Sequence, residues 1–111
     1  KGWTRAAGMS TKTVAGGLAC LERADTAMVT YNSADNSQRQ VIDYAATHNK
    51  GILIKKAFGS GHLCTGGQDP VRSGLEKILG TAGVSSVIAG TLDPAHLHDN
   101  TRQARQVLAR L

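Results

Sequence analysis

Four short apolar runs, each followed by a segment with helical spacing, constrain this chain more than any other feature. The runs occupy residues 3–7, 27–31, 52–54 and 84–88, and the helical segments begin near Thr13, Ser37, Asp69 and Asp93. Strands joined through helices cannot form tight hairpins, so they pair in parallel through crossovers. A parallel sheet needs cover on both faces, and helices supply only one of them in a barrel. The 111 residues therefore predict a single α/β domain, residues 1–111, made of four βα units. Part of a (β/α)8 barrel and a small open doubly wound sheet both satisfy the pattern.

Local signals place the elements. Residues 3–7 read as a weak strand and Gly8-Met9-Ser10-Thr11 as the turn after it. A helix from about Thr13 to Glu22 repeats Val14, Leu18 and Leu21 at helical spacing. Ser37-Gln38-Arg39-Gln40 has the form of a capping box and opens a helix to about His48, with Val41, Tyr44 and Ala45 inward. Asp69-Pro70 and Asp93-Pro94 are helix starts, each with a capping carboxylate before a proline whose missing N–H costs nothing there. Leu75, Ile78 and Leu79 give the third helix its buried stripe, and Leu97, Ala104, Val107, Leu108 and Leu111 that of the fourth.

Charge and cysteines narrow the class. The net charge of +5 favours an anionic ligand such as a dinucleotide, but no run of Lys and Arg interleaved with aromatics marks a nucleic-acid surface. Cys20 and Cys64 stand far apart without metal spacing, and no apolar run has membrane length. These features predict a soluble cytoplasmic protein with reduced cysteines, without metal, nucleic-acid or membrane partners. Lys1 is not an initiator Met, so the chain is expected to be processed, trimmed or cut from something longer.

The last strand-to-helix junction carries the clearest binding signal. The free N–H groups and dipole at the helix start beyond Asp93 suit an anion, and Thr91, His96 and Asn100 offer hydrogen-bonding groups around it. His96 and Asn100 lie four apart on one helical face, so a single phosphate-bearing ligand can touch both. The same residues also fit an ordinary helix start with solvated side chains.

The run Gly83-Val84-Ser85-Ser86-Val87-Ile88-Ala89-Gly90-Thr91, followed by Pro94, His96-Leu97 and Asn100, resembles the last strand and helix of the aldo/keto reductases. These are NADPH-dependent carbonyl reductases built on a (β/α)8 barrel. Arg5-Ala6-Ala7-Gly8-Met9-Ser10 is similar to the family's fifth strand, and Ala27-Met28-Val29-Thr30-Tyr31-Asn32 to its sixth. Gly51-Ile52-Leu53-Ile54 through Gly59-Ser60-Gly61-His62-Leu63 is similar to its seventh. The resemblance covers essentially the whole chain and only the second half of the family, and so implies the C-terminal half of a TIM barrel, strands five to eight.

The resemblance also implies a set of NADPH contacts. Ser10 matches the first residue of a Ser-Asn pair that bonds the nicotinamide carboxamide, and Thr11 replaces the Asn. Met28 stands in place of a carboxamide-binding Gln and reads as core. Lys55 replaces the aromatic ring that stacks on the nicotinamide, and is either a partner for a cofactor phosphate or a solvated strand end. Adjacent strand residues point to opposite sides, so only one of Lys55 and Lys56 is expected at the barrel mouth. Phe58, Gly59, Ser60 and Gly61 form the loop expected on the pyrophosphate, with glycine permitting close approach. Gly90 and Thr91 fall beside the adenosine 2′-phosphate, His96 where the family often has an Arg, and Asn100 on the adenine. An imidazole is a softer phosphate clamp than a guanidinium fork, and it holds an anion better when protonated.

Nothing here matches the family's catalytic Asp, Tyr, Lys and His tetrad, which belongs to the first half of the barrel, so no catalytic residue is assigned. Two functions follow as expectations. One is the cofactor-binding half of an NADPH-dependent aldo/keto reductase, an oxidoreductase not active as this chain alone. The other is a non-catalytic, self-associating half-barrel, a binding module or the relic of a truncated gene. Either way the open sheet edges call for a partner, the missing N-terminal half or a second copy in a homodimer.

Overall fold

A computed structural model describes residues 2–59 and 69–111. Four strands, β1 (Gly8–Ser10), β2 (Thr26–Thr30), β3 (Gly51–Lys55) and β4 (Ser86–Val87), alternate with four helices. The helices are α1 (Val14–Arg23), α2 (Arg39–His48), α3 (Pro70–Leu79) and α4 (Pro94–Leu108). All strands are parallel, and their order in the sheet is their order in the chain. A doubly wound sheet reverses its strand order at a switch point, and no such reversal occurs among these strands.

Three helix starts are written locally. Thr13 accepts from the Gly16 N–H at 2.9 Å, Asp69 from that of Arg72 at 3.2 Å, and Asp93 from that of Ala95 at 2.9 Å. Each satisfies a donor that the first helical turn leaves unpaired. The expected capping box does not form. Helix α2 starts one turn-residue later, behind Gln38, without a side-chain cap. The Ser37 hydroxyl is instead drawn back to the Asp35 carboxylate, 2.7 Å away, which also accepts the Ser37 N–H. A local ionised acceptor outcompetes the helix N–H.

The first strand is also displaced from its expected position. Residues 3–7 are exposed, and the pairing lies at the residues read as a turn, with Gly8 opposite Thr26 and Ser10 opposite Met28. The Ala7 carbonyl accepts from the N–H groups of Asp25 and Thr26, which delays the ladder to Gly8. There the backbones approach so closely that a Cβ on Gly8 would overlap both oxygens of Thr26. Only glycine permits that approach.

Burial alternates along β2 and β3, with one face sealed and the other half-exposed. The sealed face carries Ala27, Val29, Ile52 and Ile54 against Leu21, Val41, Ile42, Ala45 and Ile78 of the helices. Cys20 joins this core as a free thiol, its Sγ 3.3 Å from the Thr26 carbonyl. Cys64 lies outside the described residues. The opposite face presents Ser10, Met28, Leu53, Thr30 and Lys55 by strand register. Its exposure accords with the sheet being an arc of a barrel whose interior is filled from elsewhere.

Helix α4 departs most from expectation. Val107 is buried and Ala104 half-buried, but Leu97, Leu108 and Leu111 are more than half exposed, and the polar Gln103 is buried instead. Strand β4 is short, two residues rather than five, so α4 has little sheet to lie on and packs mainly against α3.

Candidate functional site

The polar residues singled out above collect in two clefts beyond the C-terminal ends of the strands, where parallel α/β folds hold their ligands. The loop at residues 57–59 separates the clefts, since Phe58 lines one and Gly59 the other.

The first cleft, of about 570 Å³, opens between the N-terminus of α3 and the side of α4. Phe58, Gly90, Thr91, His96 and Asn100, read separately from the sequence, all line it. The Asp69-Pro70 start puts the N-terminus of α3, a positive dipole end, at its wall, while α4 presents the side that carries His96, Asn100 and Gln103. The Thr91 hydroxyl oxygen accepts from the Asp93 N–H at 3.1 Å, which leaves its hydrogen to donate. Asp93 also sits 3.6 Å from His96 Nε2, so any anion here shares the imidazole with a carboxylate.

Three polar lining residues of α4, Asp99, Arg102 and Gln103, were missed in the sequence reading. Arg102 brings a guanidinium to the cleft and is held by Asp99, an arrangement that lowers the Asp99 pKa, chiefly through the hydrogen bond from Arg102. Gln103 donates through Nε2 to the other Asp99 oxygen at 2.7 Å, while its Oε1 is buried and has no partner. An orphaned acceptor costs free energy until a donor reaches it, which makes the site fit a ligand with an amino or hydroxyl group. The (i, i+3, i+4) spacing of Asp99, Arg102 and Gln103 was legible, but not that this helical face turns toward the loop after β3.

The second cleft, of about 500 Å³, lies over β1, β2 and β3. Ser10 and Lys55 meet at its edge, with Lys55 Nζ donating to Ser10 Oγ at 2.6 Å across the intervening β2. Thr11 is buried, its hydroxyl unpaired and its N–H bonded to the Met28 carbonyl. Met28 is half-buried on the open face rather than in the sealed core. Lys55 and Lys56 line the same cleft. Strand alternation stops at Lys55 because Lys56 adopts a left-handed backbone, φ 55°, held by its carbonyl accepting from Asn32 Nδ2 and the Gly59 N–H. Ser60 and Gly61 lie outside the described residues.

No His/Cys/Asp/Glu cluster able to hold a metal occurs among the described residues, and no helix there is long and apolar enough to cross a membrane.

No family model matches the chain, and no curated protein matches it. Two solved structures from Pseudomonas aeruginosa, both assigned to the aldo-keto reductases, are similar to it at 50% and 48% identity. Each match covers 93% of this chain with a TM-score of 0.82. The chain spans only 38% of the length of either structure.

Proposed function

From the premise that four parallel βα units of this chain match part of an aldo-keto reductase barrel, we propose that it is the cofactor-binding half of an NADPH-dependent member. The observation that carries the proposal is the convergence of Phe58, Gly90, Thr91, His96 and Asn100 on one cleft. Thr91, His96 and Arg102 supply the donors for an adenosine 2′-phosphate, and Asn100 with the orphaned Gln103 Oε1 suits the adenine edge and its amino group. Ser10, Thr11 and Lys55 serve the nicotinamide end, with Gly59 on the pyrophosphate. When bound, the cofactor supplies a hydride for carbonyl reduction. Residues of this chain bind and orient it; the general acid belongs to the first half of the barrel, so this chain alone turns over no aldehyde. We place the protein in the cytoplasm, where the free Cys20 thiol persists.

Isothermal titration of the chain with NADPH tests this reading. Saturable binding is expected, and Asn100→Ala is expected to weaken it about tenfold, the effect of losing a buried polar contact. An unchanged affinity in the variant refutes the site.

A second reading is favoured by the open edges. Met9 and Ile88 at the two sheet edges and Leu97 and Leu108 on α4 are exposed, and unpaired edges with apolar flanks promote association. On this reading the chain is a non-catalytic half-barrel that closes with a second copy. Sedimentation would then give a homodimer that shows no response to NADPH.

A further inference from the structure

Three lysines converge on the second cleft, Lys12 from the loop after β1, Lys55 from the end of β3 and Lys56 just beyond it. The single carboxylate lining that cleft is Asp35. Its Oδ1 is already engaged by the N–H and hydroxyl of Ser37, which hold its pKa down and keep it ionised. Among the described residues no carboxylate lies within 4 Å of the three ammonium groups, and the one carboxylate in the cleft, Asp35, which also feels the charge of Lys56, leaves the three lysines in excess, so the cleft carries a net positive charge. The N-terminus of α2 adds to it, because this helix has neither a side-chain cap nor an acidic residue in its first turn. Gln38, at that N-terminus, lines the cleft and is only 4% exposed, and its Oε1 is buried without a partner.

Like charges brought together repel, and an anion seated among them relieves that repulsion. Each ammonium group donates up to three hydrogen bonds as a point charge, a match for the several lone pairs of a phosphate or carboxylate. A protonated phosphate oxygen, or a hydroxyl beside a carboxylate, also provides the donor that Gln38 Oε1 lacks. We propose that this cleft binds the oxyanion group of a small ligand, phosphate or carboxylate, between Lys12, Lys55 and Lys56. Lys55 and Gly59 of this cleft are shared with the proposed dinucleotide contacts, whereas Lys12, Lys56 and Gln38 are not, so the site is tested apart from that reading. Its oxyanion has two sources, the dinucleotide's own pyrophosphate or a separate small anion.

The probe is inorganic phosphate, titrated into the whole chain by calorimetry with ionic strength held constant by chloride, so that general screening cancels. Saturable binding is expected. The double variant Lys12→Gln/Lys56→Gln is expected to lose about tenfold or more in phosphate affinity. Both side chains are exposed, so the circular dichroism spectrum of the variant should match that of the parent. Absence of saturation, or equal phosphate affinity in parent and variant, overturns the proposal. Repeating the titration with NADPH present identifies the source: competition assigns the cleft to the pyrophosphate, and simultaneous binding assigns it to a separate anion. If NADPH does not bind while phosphate does, the oxyanion site stands and the dinucleotide reading fails.

Discussion

Replacing Gly8 by alanine puts a Cβ 2.8 Å from the carbonyl carbon of Thr26 and closer still to both Thr26 oxygens. The hydroxyl can rotate away, but the carbonyl belongs to the backbone of the central strand β2 and cannot. The edge strand β1 must therefore yield, and forced overpacking of this kind costs about 1–3 kcal/mol. Near the middle of that range, a domain of roughly 100 residues loses about 8 °C in Tm. The same displacement carries Ser10 away from Lys55, whose 2.6 Å bond spans β1 to β3. Thermal and urea unfolding followed by far-UV circular dichroism measure the first effect. Gly90→Ala is the control, since nothing lies within 4 Å of a Cβ there, and its stability should stay within about 0.5 kcal/mol of the parent. If Gly8→Ala is as stable as Gly90→Ala, the close approach of β1 to β2 is not real and the position of Ser10 loses its support.

Two further outcomes are expected. Asp93→Ala removes the cap that accepts from the Ala95 N–H and should destabilise the chain by about 1 kcal/mol, read as a lower urea midpoint; an unchanged midpoint would show that α4 does not depend on it. The Asp35 carboxyl titrates below its ordinary value because of its side-chain and backbone hydrogen bonds from Ser37. A carboxylate with a depressed folded-state pKa adds stability above its unfolded value, near pH 4, and that stability disappears as pH falls through the folded value. Ser37→Ala should raise the Asp35 titration midpoint in NMR and remove this share of acid sensitivity, and a midpoint that does not move would contradict the bond.

Much of the architecture is legible without coordinates because it is set by short-range chemistry. Thr13, Asp69 and Asp93 cap helices through bonds spanning two or three residues, and the apolar runs at 27–31 and 52–54 become strands because both flank the sealed core. The capping box at Ser37 failed for an equally local reason, the nearer Asp35 carboxylate, which shows that a motif is read correctly only against its competitors. The placement of Thr91, His96 and Asn100 beside Phe58 follows from ordered strand ends, and was likewise within reach.

Other features depend on what lies opposite in space. Residues 3–7 have strand-like composition, yet pairing begins at Gly8 because that is where the register with Thr26 permits contact. The leucine stripe of α4 has the right period for a buried face, but periodicity cannot supply a surface to bury it against, and β4 offers only two residues. Lys12 and the Lys55-Lys56 pair are 43 positions apart and show no charge cluster along the chain. Parallel pairing of β1, β2 and β3, with the left-handed turn at Lys56, brings them to one cleft. The order of residues thus specified which elements form and where their helices start, since propensity and capping act over a few residues. Which side chains share a cleft was settled by strand register and backbone turns, since those bring together groups that no local rule connects.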